Sequence, residues 1–567
     1  MHRRWHGRRG TLRGAAMTRL HFKHWPRHLP LHLSYPATGF TEHLETNARR
    51  YPNKVAVDFY GRTFTYRELY ERVERLAGHL RHRAGVEPGD RVLLDMQNSL
   101  AYIVGFYAVL RADAVAVPVN PMNRSEELAW YLEDTGAKVA LVGAELLEHF
   151  LPLRRDGAPA HLIVARYADD LPAEADLPVP DALLAAPEAR DHDGVVSLRT
   201  ALEHPPLAEP ARHCGEQLAA LLYTSGTTAH PKGCMLSHRA LNAQLVTQAN
   251  CNPWSNEARV LSVVPFFHVT GMIAAMGLPL FLGGTLHLMS RWDRLCAVQA
   301  IHRHRITHWC NIPTMVVDLL ALPDVEQYDF SSLVCVYGGG TSMPLAVAER
   351  FFALTGLEYQ EGWGMTEMVA GVHLNPYGRS KRQCLGVPMF EVDTRVLDPD
   401  TGGELGIGEK GELISRGPCM FSGYWNNPQA TREAFVEFDG QRFFRTGDIG
   451  YYDEEGYFFM ADRLKRMVNV SGYKVWPSEV ENILYRHPAI QEACVIACNR
   501  NDRGETVKAL VALRPGATLA AEELMDWARE HMAAYKIPRA VEFVDELPKT
   551  GSGKIQWRLL QEQENKK

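Results

Sequence analysis

From about Thr41 to Gly143, short apolar runs alternate with stretches of helical period. RVLLDM (Arg91 to Met96) reads as a buried strand, AYIVGFYAVLRAD (Ala101 to Asp113) as the helix after it, and AVAVPVN as the next strand. That alternation predicts an α/β fold with a largely parallel sheet. Between Leu151 and Gly215 the pattern gives way to Ala, Pro and acids, and this stretch reads as a variable surface region with little sheet. The alternation resumes with the strand LAALLYT (Leu218 to Thr224), then a loop, and Ser237 is placed to cap the helix that follows. LVCVYGGG (Leu333 to Gly340) is a strand running into a glycine loop, and its helix should begin near Pro344 and stop at Gly356.

Two apolar stretches have the length of a membrane span. Ala101 to Val119 carries Arg111 and Asp113, which argues against contact with lipid. Gly271 to Met289 has no Asp, Glu, Lys or Arg, but Pro279 and Gly283-Gly284 interrupt it. It reads as a buried helix, a turn and a buried strand.

At 567 residues the chain exceeds the roughly 250–300 that one hydrophobic core serves, so at least two domains are expected. The composition turns basic and polar near Asp462 to Tyr473, and a smaller α/β unit follows. The expected division is a basic, disordered extension (1–35), a large N-terminal domain with mixed, largely parallel sheets between helices (36–463), and a small C-terminal α/β domain (464–567). The first acid is Glu42; the Arg- and His-rich start resembles a transit peptide, but its lack of an amphipathic period favours a disordered tail or a true start at Met17. The net charge of -6 offers no general attraction to nucleic acid. Ten cysteines lie without repeated spacing, and Cys494 and Cys498 have no second pair to complete a zinc site. A reduced, cytoplasmic chain is expected.

The sharpest chemistry lies in YTSGTTAHPKG, Tyr223 to Gly233. Hydroxyls from Thr224, Ser225, Thr227 and Thr228 surround Gly226, and Lys232 closes the segment. Backbone N–H groups, hydroxyls and one ammonium are the donors a polyphosphate needs. A polar turn between strand and helix would use the same residues. It is not a Walker A loop, because Pro231 precedes Lys232 and Gly233 follows it; GSGK (Gly551 to Lys554) fails as well, since Ile555 follows the lysine.

Other segments complete a pattern: PFFHVTG (Pro265 to Gly271), YGGGTSMP (Tyr337 to Pro344), GWGMTE (Gly362 to Glu367), RTGDIGYYDEEGYFF (Arg445 to Phe459), DRLKRMVNVSGYKVWPSEVE (Asp462 to Glu481) and PKTGSGKI (Pro548 to Ile555). With Tyr223 to Gly233 they resemble, in order, the signatures of the adenylate-forming superfamily of acyl-CoA synthetases, amino-acid adenylation domains and luciferases. The resemblance covers residues from about 40 to 560 and is strongest to fatty acyl-CoA synthetases.

It implies ATP, Mg2+ and coenzyme A as co-substrates and cofactor. Thr224, Ser225, Gly226, Thr227, Thr228 and Lys232 would hold phosphates. Gly338, Gly339 and Gly340 would lie along the adenine, where a side chain would block approach. Gly362, Trp363, Gly364 and Met365 would complete the nucleotide site. Thr366 would bind the α-phosphate and Glu367 the magnesium. Asp448 would accept from the ribose hydroxyls, with Arg463 beside it. Lys554 would be the adenylation lysine, stabilising charge that builds as a carboxylate attacks the α-phosphorus. The small domain would then turn about Lys465 and present Gly472, Tyr473 and Lys474 to the pantetheine arm. Arg466 departs from the acidic residue usual beside that hinge. His268 would stand between the acyl pocket and the second half-reaction.

The PFFHVTG stretch lacks the carboxylate that pairs with an amino-acid substrate's ammonium, and an unpaired buried ammonium is costly. Gly364 stands where acetate-specific relatives resemble one another in carrying Trp, so the pocket floor is expected to be open. Gly271, Met272, Ile273, Met276 and Met365 would offer an apolar, adaptable lining. A medium- or long-chain fatty acid is the first choice and an aryl or arylpropenoic acid, stacking on Trp363, the second. An acyl-AMP ligase loading a carrier protein shares the first half-reaction. A luciferase-like oxygenase shares the motifs, although ENKK at the end lacks the peroxisomal Ser-Lys-Leu address. An inactive scaffold would have lost Lys554, Glu367 or Asp448. A homodimer and a weak peripheral membrane contact are compatible with this reading.

Overall fold

The computed structural model describes residues 20–26, 29–154, 159–185, 194–212, 214–224, 231–470, 473–499, 505–549 and 555–566. It divides into two compact units, one formed by Trp25–Asp393 with Arg416–Phe435, the other by Thr394–Ser415 and Val436–Lys567 together with the N-terminal residues up to His24.

The larger unit holds two sheets. In the seven-stranded sheet the order is Val195–Ser197, His161–Ala165, Val139–Gly143, Arg91–Asp95, Val115–Pro118, Leu218–Thr224, Lys232–Ser237. Its neighbours are parallel except for the last pair, which is antiparallel. The nine-stranded sheet runs Val387–Pro388, Ala370–Leu374, Gln360–Met365, Cys335–Gly339, His308–Asn311, Arg259–Ser262, Thr285–Leu288, Val55–Phe59, Arg62–Thr65. Its middle is parallel, and the antiparallel pairings lie toward its two edges.

Helix ends follow local chemistry. Thr65 and Glu68 form a reciprocal capping box on Tyr66–His82. Ser99 caps Leu100–Arg111, a helix buried around nearly its whole girth. Ser237 caps His238–Cys251 through the Ala240 N–H, as expected, but the strand Lys232–Ser237 intervenes between the loop and that helix. Leu345–Thr355 stops where Gly356 turns left-handed at φ 71°.

The stretch 271–289 is a buried π-helix (Gly271–Gly277), a short α-helix (Leu278–Leu282) and the strand Thr285–Leu288. Between 151 and 215, where little sheet is expected, His161–Ala165 and Val195–Ser197 are strands of the parallel sheet. HLIVA is apolar enough for a buried strand, but the Pro- and Ala-rich residues around it dilute the signal.

The smaller unit contains a five-stranded sheet, the hairpin Val468–Val470/Tyr473–Val475, and a three-stranded sheet of Ile490–Asn499, Glu505–Leu513 and Ala540–Phe543. All ten cysteines are free thiols. Among the described residues, no helix is long and apolar enough to cross a membrane.

Candidate active site

The strands Leu218–Thr224 and Lys232–Ser237 pair with Thr224 opposite Lys232, so both residues stand at the mouth of the hydroxyl-rich loop. Ser225, Gly226, Thr227 and Thr228 of that loop lie outside the described residues. The loop's entry is anchored: the Tyr223 hydroxyl donates to the Asp134 carboxylate, and its ring packs against Trp130 and Tyr131 at 5.4 and 4.9 Å.

A third segment, which sequence reasoning missed, lies along the exit strand. Met235 N donates to Gly423 O (3.0 Å), Ser422 N to Met235 O (3.0 Å) and Trp425 N to Gly233 O (2.8 Å). This pairing puts the Tyr424 ring 5.0 Å from Lys232 Nζ, while the Tyr424 hydroxyl donates to Glu367 Oε1 at 2.8 Å. Phe421 N donates to the Glu367 carbonyl at 2.8 Å. Burial, and then the Glu367 charge, push the Tyr424 hydroxyl's pKa upward, so it stays a donor. One tyrosine thus ties the loop lysine to the proposed metal-holding carboxylate.

Thr366 and Glu367 sit in a single 3₁₀ turn between the antiparallel strands Gln360–Met365 and Ala370–Leu374. The chain reverses there through two successive non-glycine residues at positive φ, Val369 at 50° and Ala370 at 77°. A β-branched residue rarely accepts that conformation, so the turn is strained where it presents the Thr366-Glu367 pair.

The glycines beside this turn have reasons the sequence did not disclose. A Cβ on Gly364 would lie 1.5 Å from the Ala370 carbonyl oxygen of the returning strand. Any side chain at 364 therefore disturbs the hairpin, and Trp there would do more than fill a pocket floor. A Cβ on Gly338 would meet Asn311 O at 1.9 Å, and one on Gly339 would meet Gly362 O at 2.2 Å. Close approach of neighbouring strands requires both glycines, whatever lies over them. Gly340 is exposed at the turn, and Trp363 is buried with its ring 4.9 Å from His373.

Glu361, beside this turn, is buried. Desolvation pushes its carboxyl up to about 7, against backbone N–H bonds from Gln383 (2.9 Å) and Met343 (3.3 Å). An unfolded Glu titrates at about 4.3. Between those values the folded chain binds the proton more tightly, so stability falls as pH rises and levels off above about 7. Glu361→Gln keeps an acceptor and is expected to remove this slope, up to about 4 kcal/mol by linkage. Unfolding midpoints of both proteins on either side of the window check it; equal pH slopes contradict it.

His268 is exposed in the turn that enters the π-helix, and its carbonyl accepts from Met272 N at 2.9 Å. Gly271, Met272 and Met276 are buried within the π-helix, and Met365 is partly buried. Facing Gly371 on the neighbouring strand are the amides of Gln244 and Gln248. Both atoms of the Gln244 amide and the Gln248 oxygen are buried without a hydrogen-bond partner among the described residues.

In the smaller unit, Asp448 and Arg463 are opposite each other across an antiparallel pair, with Arg463 Nε 2.6 Å from the buried Asp448 Oδ1. Lys465 is exposed in the 3₁₀ turn Leu464–Arg466. Arg466 beside it is fixed by Glu481, by the Val495 carbonyl at 3.2 Å, by Asp462 at 3.7 Å and by the Trp557 ring at 5.6 Å. Tyr473 is exposed and stacks on Tyr535 at 4.8 Å, and Lys474 pairs with Asn469 in the hairpin. Gly472 and Lys554 lie outside the described residues. Lys549 and Ile555, on either side of Lys554 in sequence, form an isolated antiparallel bridge.

A family model described as AMP-binding enzyme matches residues 44–425, and one described as AMP-binding enzyme C-terminal domain matches residues 479–554. The chain belongs to the AMP-binding enzymes. Its fold, a large unit of mixed sheets and helices with a small C-terminal domain, is that of adenylate-forming enzymes. This AMP-binding enzyme is 34% identical to a long-chain-fatty-acid–CoA ligase of Bacillus subtilis (strain 168), over 95% of this chain and 97% of that one. It is 36% identical to a feruloyl-CoA synthase of Amycolatopsis sp, over 90% and 95%. Among solved structures it resembles an anthranilate CoA ligase in complex with anthranoyl-AMP, with a TM-score of 0.80 and 28% identity, over 94% of this chain and 98% of that one.

Proposed function

We propose that this AMP-binding enzyme is an acid–thiol ligase that converts a medium- or long-chain fatty acid to its CoA thioester through an acyl-adenylate. The observation that carries the reading is the Lys232–Tyr424–Glu367 arrangement at the mouth of the hydroxyl-rich loop. It sets an ammonium over the face of one ring and a hard carboxylate at that ring's hydroxyl, suited to a polyphosphate and its cation.

In the first step a substrate carboxylate oxygen attacks the α-phosphorus of ATP, the bond to the β-phosphate bridging oxygen breaks, and pyrophosphate leaves. Thr366 and Lys554 stabilise the charge that develops. Glu367 fits Mg2+, being a carboxylate oriented by the Tyr424 hydroxyl; the ion's contribution is to neutralise phosphate charge. Asp448, steadied by Arg463, accepts from the ribose hydroxyls. Gly338 to Gly340 and Gly362 to Met365 border the nucleotide. In the second step the CoA thiolate attacks the acyl carbon and AMP departs with one of the former carboxylate oxygens. Gly472, Tyr473 and Lys474 border the pantetheine arm, after residues 464–567 have turned about Lys465, and His268 stands beside the reacting acyl group. This chemistry belongs, on the same reading, in the cytoplasm.

A second reading, an aryl or arylpropenoic acid as substrate, has its own observation. The buried Gln244 amide and the Gln248 amide oxygen beside Gly371 lack partners among the described residues, and a ring hydroxyl would supply one. A panel of fatty, benzoic and hydroxycinnamic acids with MgATP, scored for pyrophosphate release with and without CoA, tests both. Fatty acids of medium or long chain are expected to lead. Turnover confined to ring acids would select the second reading, and release unaffected by any acid would remove both.

A further inference from the structure

Away from the adenylation residues, three side chains distant in sequence converge beside the nine-stranded sheet. Asp58 and His287 are direct neighbours across the parallel strands Val55–Phe59 and Thr285–Leu288, so both project to one face. His304 closes the helix Arg294–His304. One ligand atom from each lies within 4.8 Å of the other two. Asp58 Oδ2 is 3.4 Å from His287 Nδ1 and 3.9 Å from His304 Nδ1.

These separations are long for hydrogen bonds between charged groups. They suit donors that share an ion: with bonds of about 2.0–2.2 Å, tetrahedral ligands stand roughly 3.3–3.5 Å apart. His287 is buried, and neither of its ring nitrogens has a hydrogen-bond partner of good geometry among the described residues. The surrounding groups fit the same purpose. Asp58 Oδ1 accepts from Gly61 N at 2.9 Å, which orients the carboxylate and leaves Oδ2 facing the histidines. Behind His304, Asp176 Oδ2 lies 3.0 Å from Nε2, within ion-pair distance but not aligned as a hydrogen bond. A carboxylate on the far nitrogen is the usual support of a metal-bound imidazole, fixing its tautomer and raising its basicity.

We propose that Asp58, His287 and His304 form a binding site for a divalent transition-metal cation of the zinc class, with Asp176 as the supporting carboxylate. Two imidazoles and one carboxylate select such an ion over magnesium, and water completes the fourth position. The ion ties the strands Val55–Phe59 and Thr285–Leu288 to the end of the helix Arg294–His304, and its role is to fasten them. It is separate from the magnesium assigned to Glu367.

The test uses the full-length protein, stripped with chelator and re-equilibrated with zinc in excess Mg2+ without ATP. Zinc retained after gel filtration is measured by mass spectrometry, and the affinity by competition with a chromophoric chelator. The wild type should hold one equivalent more than His287→Asn or Asp58→Asn. The His-rich N-terminal residues are common to all variants, so their zinc cancels. Asp176→Asn leaves the three ligands in place and should weaken zinc binding about 10–100-fold; it decides the matter if the ligand variants do not fold. Zinc should also raise the unfolding temperature of the wild type and not that of His287→Asn. Equal zinc content in wild type and folded ligand variants, or an affinity unmoved by Asp176→Asn, overturns the site and leaves an ion-pair cluster.

Discussion

Replacing Lys554 with alanine is expected to slow acid-dependent pyrophosphate release by about 10²–10³-fold, the usual cost of one preorganised donor. Acyl-AMP supplied to the same variant should still become acyl-CoA, because the proposed ammonium acts only while the adenylate forms. Gly472→Leu should do the reverse. Gly472 falls in the two-residue connection between Val470 and Tyr473, which pair across the hairpin, and a leucine there would crowd the pantetheine arm while sparing adenylation. Stopped-time assays of each half-reaction in both variants form a crossed test. Loss of the same half-reaction in both would contradict the two-step use of residues 464–567.

The second large effect is on stability. Arg466→Ala is expected to loosen the smaller unit by about 3–5 kcal/mol, because it leaves the largely enclosed Glu481 without its cation. Among the described residues, Glu481 would keep the Val495 N–H at 2.7 Å. Amide exchange in the helix Pro477–Leu484 should quicken by roughly two to four orders of magnitude, to the extent that local opening sets the rate. The double variant Arg466→Met with Glu481→Gln removes both charges and should recover most of the loss. If the single variant exchanges like wild type, Arg466 is not the anchor. The residue that departs from the acidic one usual beside the hinge thus has a definite structural role.

Legibility in the sequence followed contiguity. Leu218–Thr224 is a strand of seven residues that the apolar run predicted, and Gly356 ends its helix because its left-handed φ is locally dictated. The family was legible because its motifs, the run of hydroxyls, glycine and lysine from Tyr223 to Gly233 among them, are each contiguous in the chain. Tyr424 was not, since it acquires meaning only when 421–425 pairs with 232–237, nearly two hundred residues earlier. The reason for Gly364 was hidden in the same way: the backbone it must admit, Ala370, arrives through a turn whose positive φ values no propensity would suggest. The strand His161–Ala165 was obscured by composition, and the Asp58–His287–His304 cluster by distance along the chain.

Adenylation followed by thiolysis makes a specific demand on oxygen atoms. A fatty acid labelled with oxygen-18 in both carboxylate positions, turned over with MgATP and CoA, should yield AMP carrying one labelled oxygen per thioester formed and unlabelled pyrophosphate. ADP as the nucleotide product, with the label in orthophosphate, would mean transfer of the γ-phosphoryl group and would contradict the account.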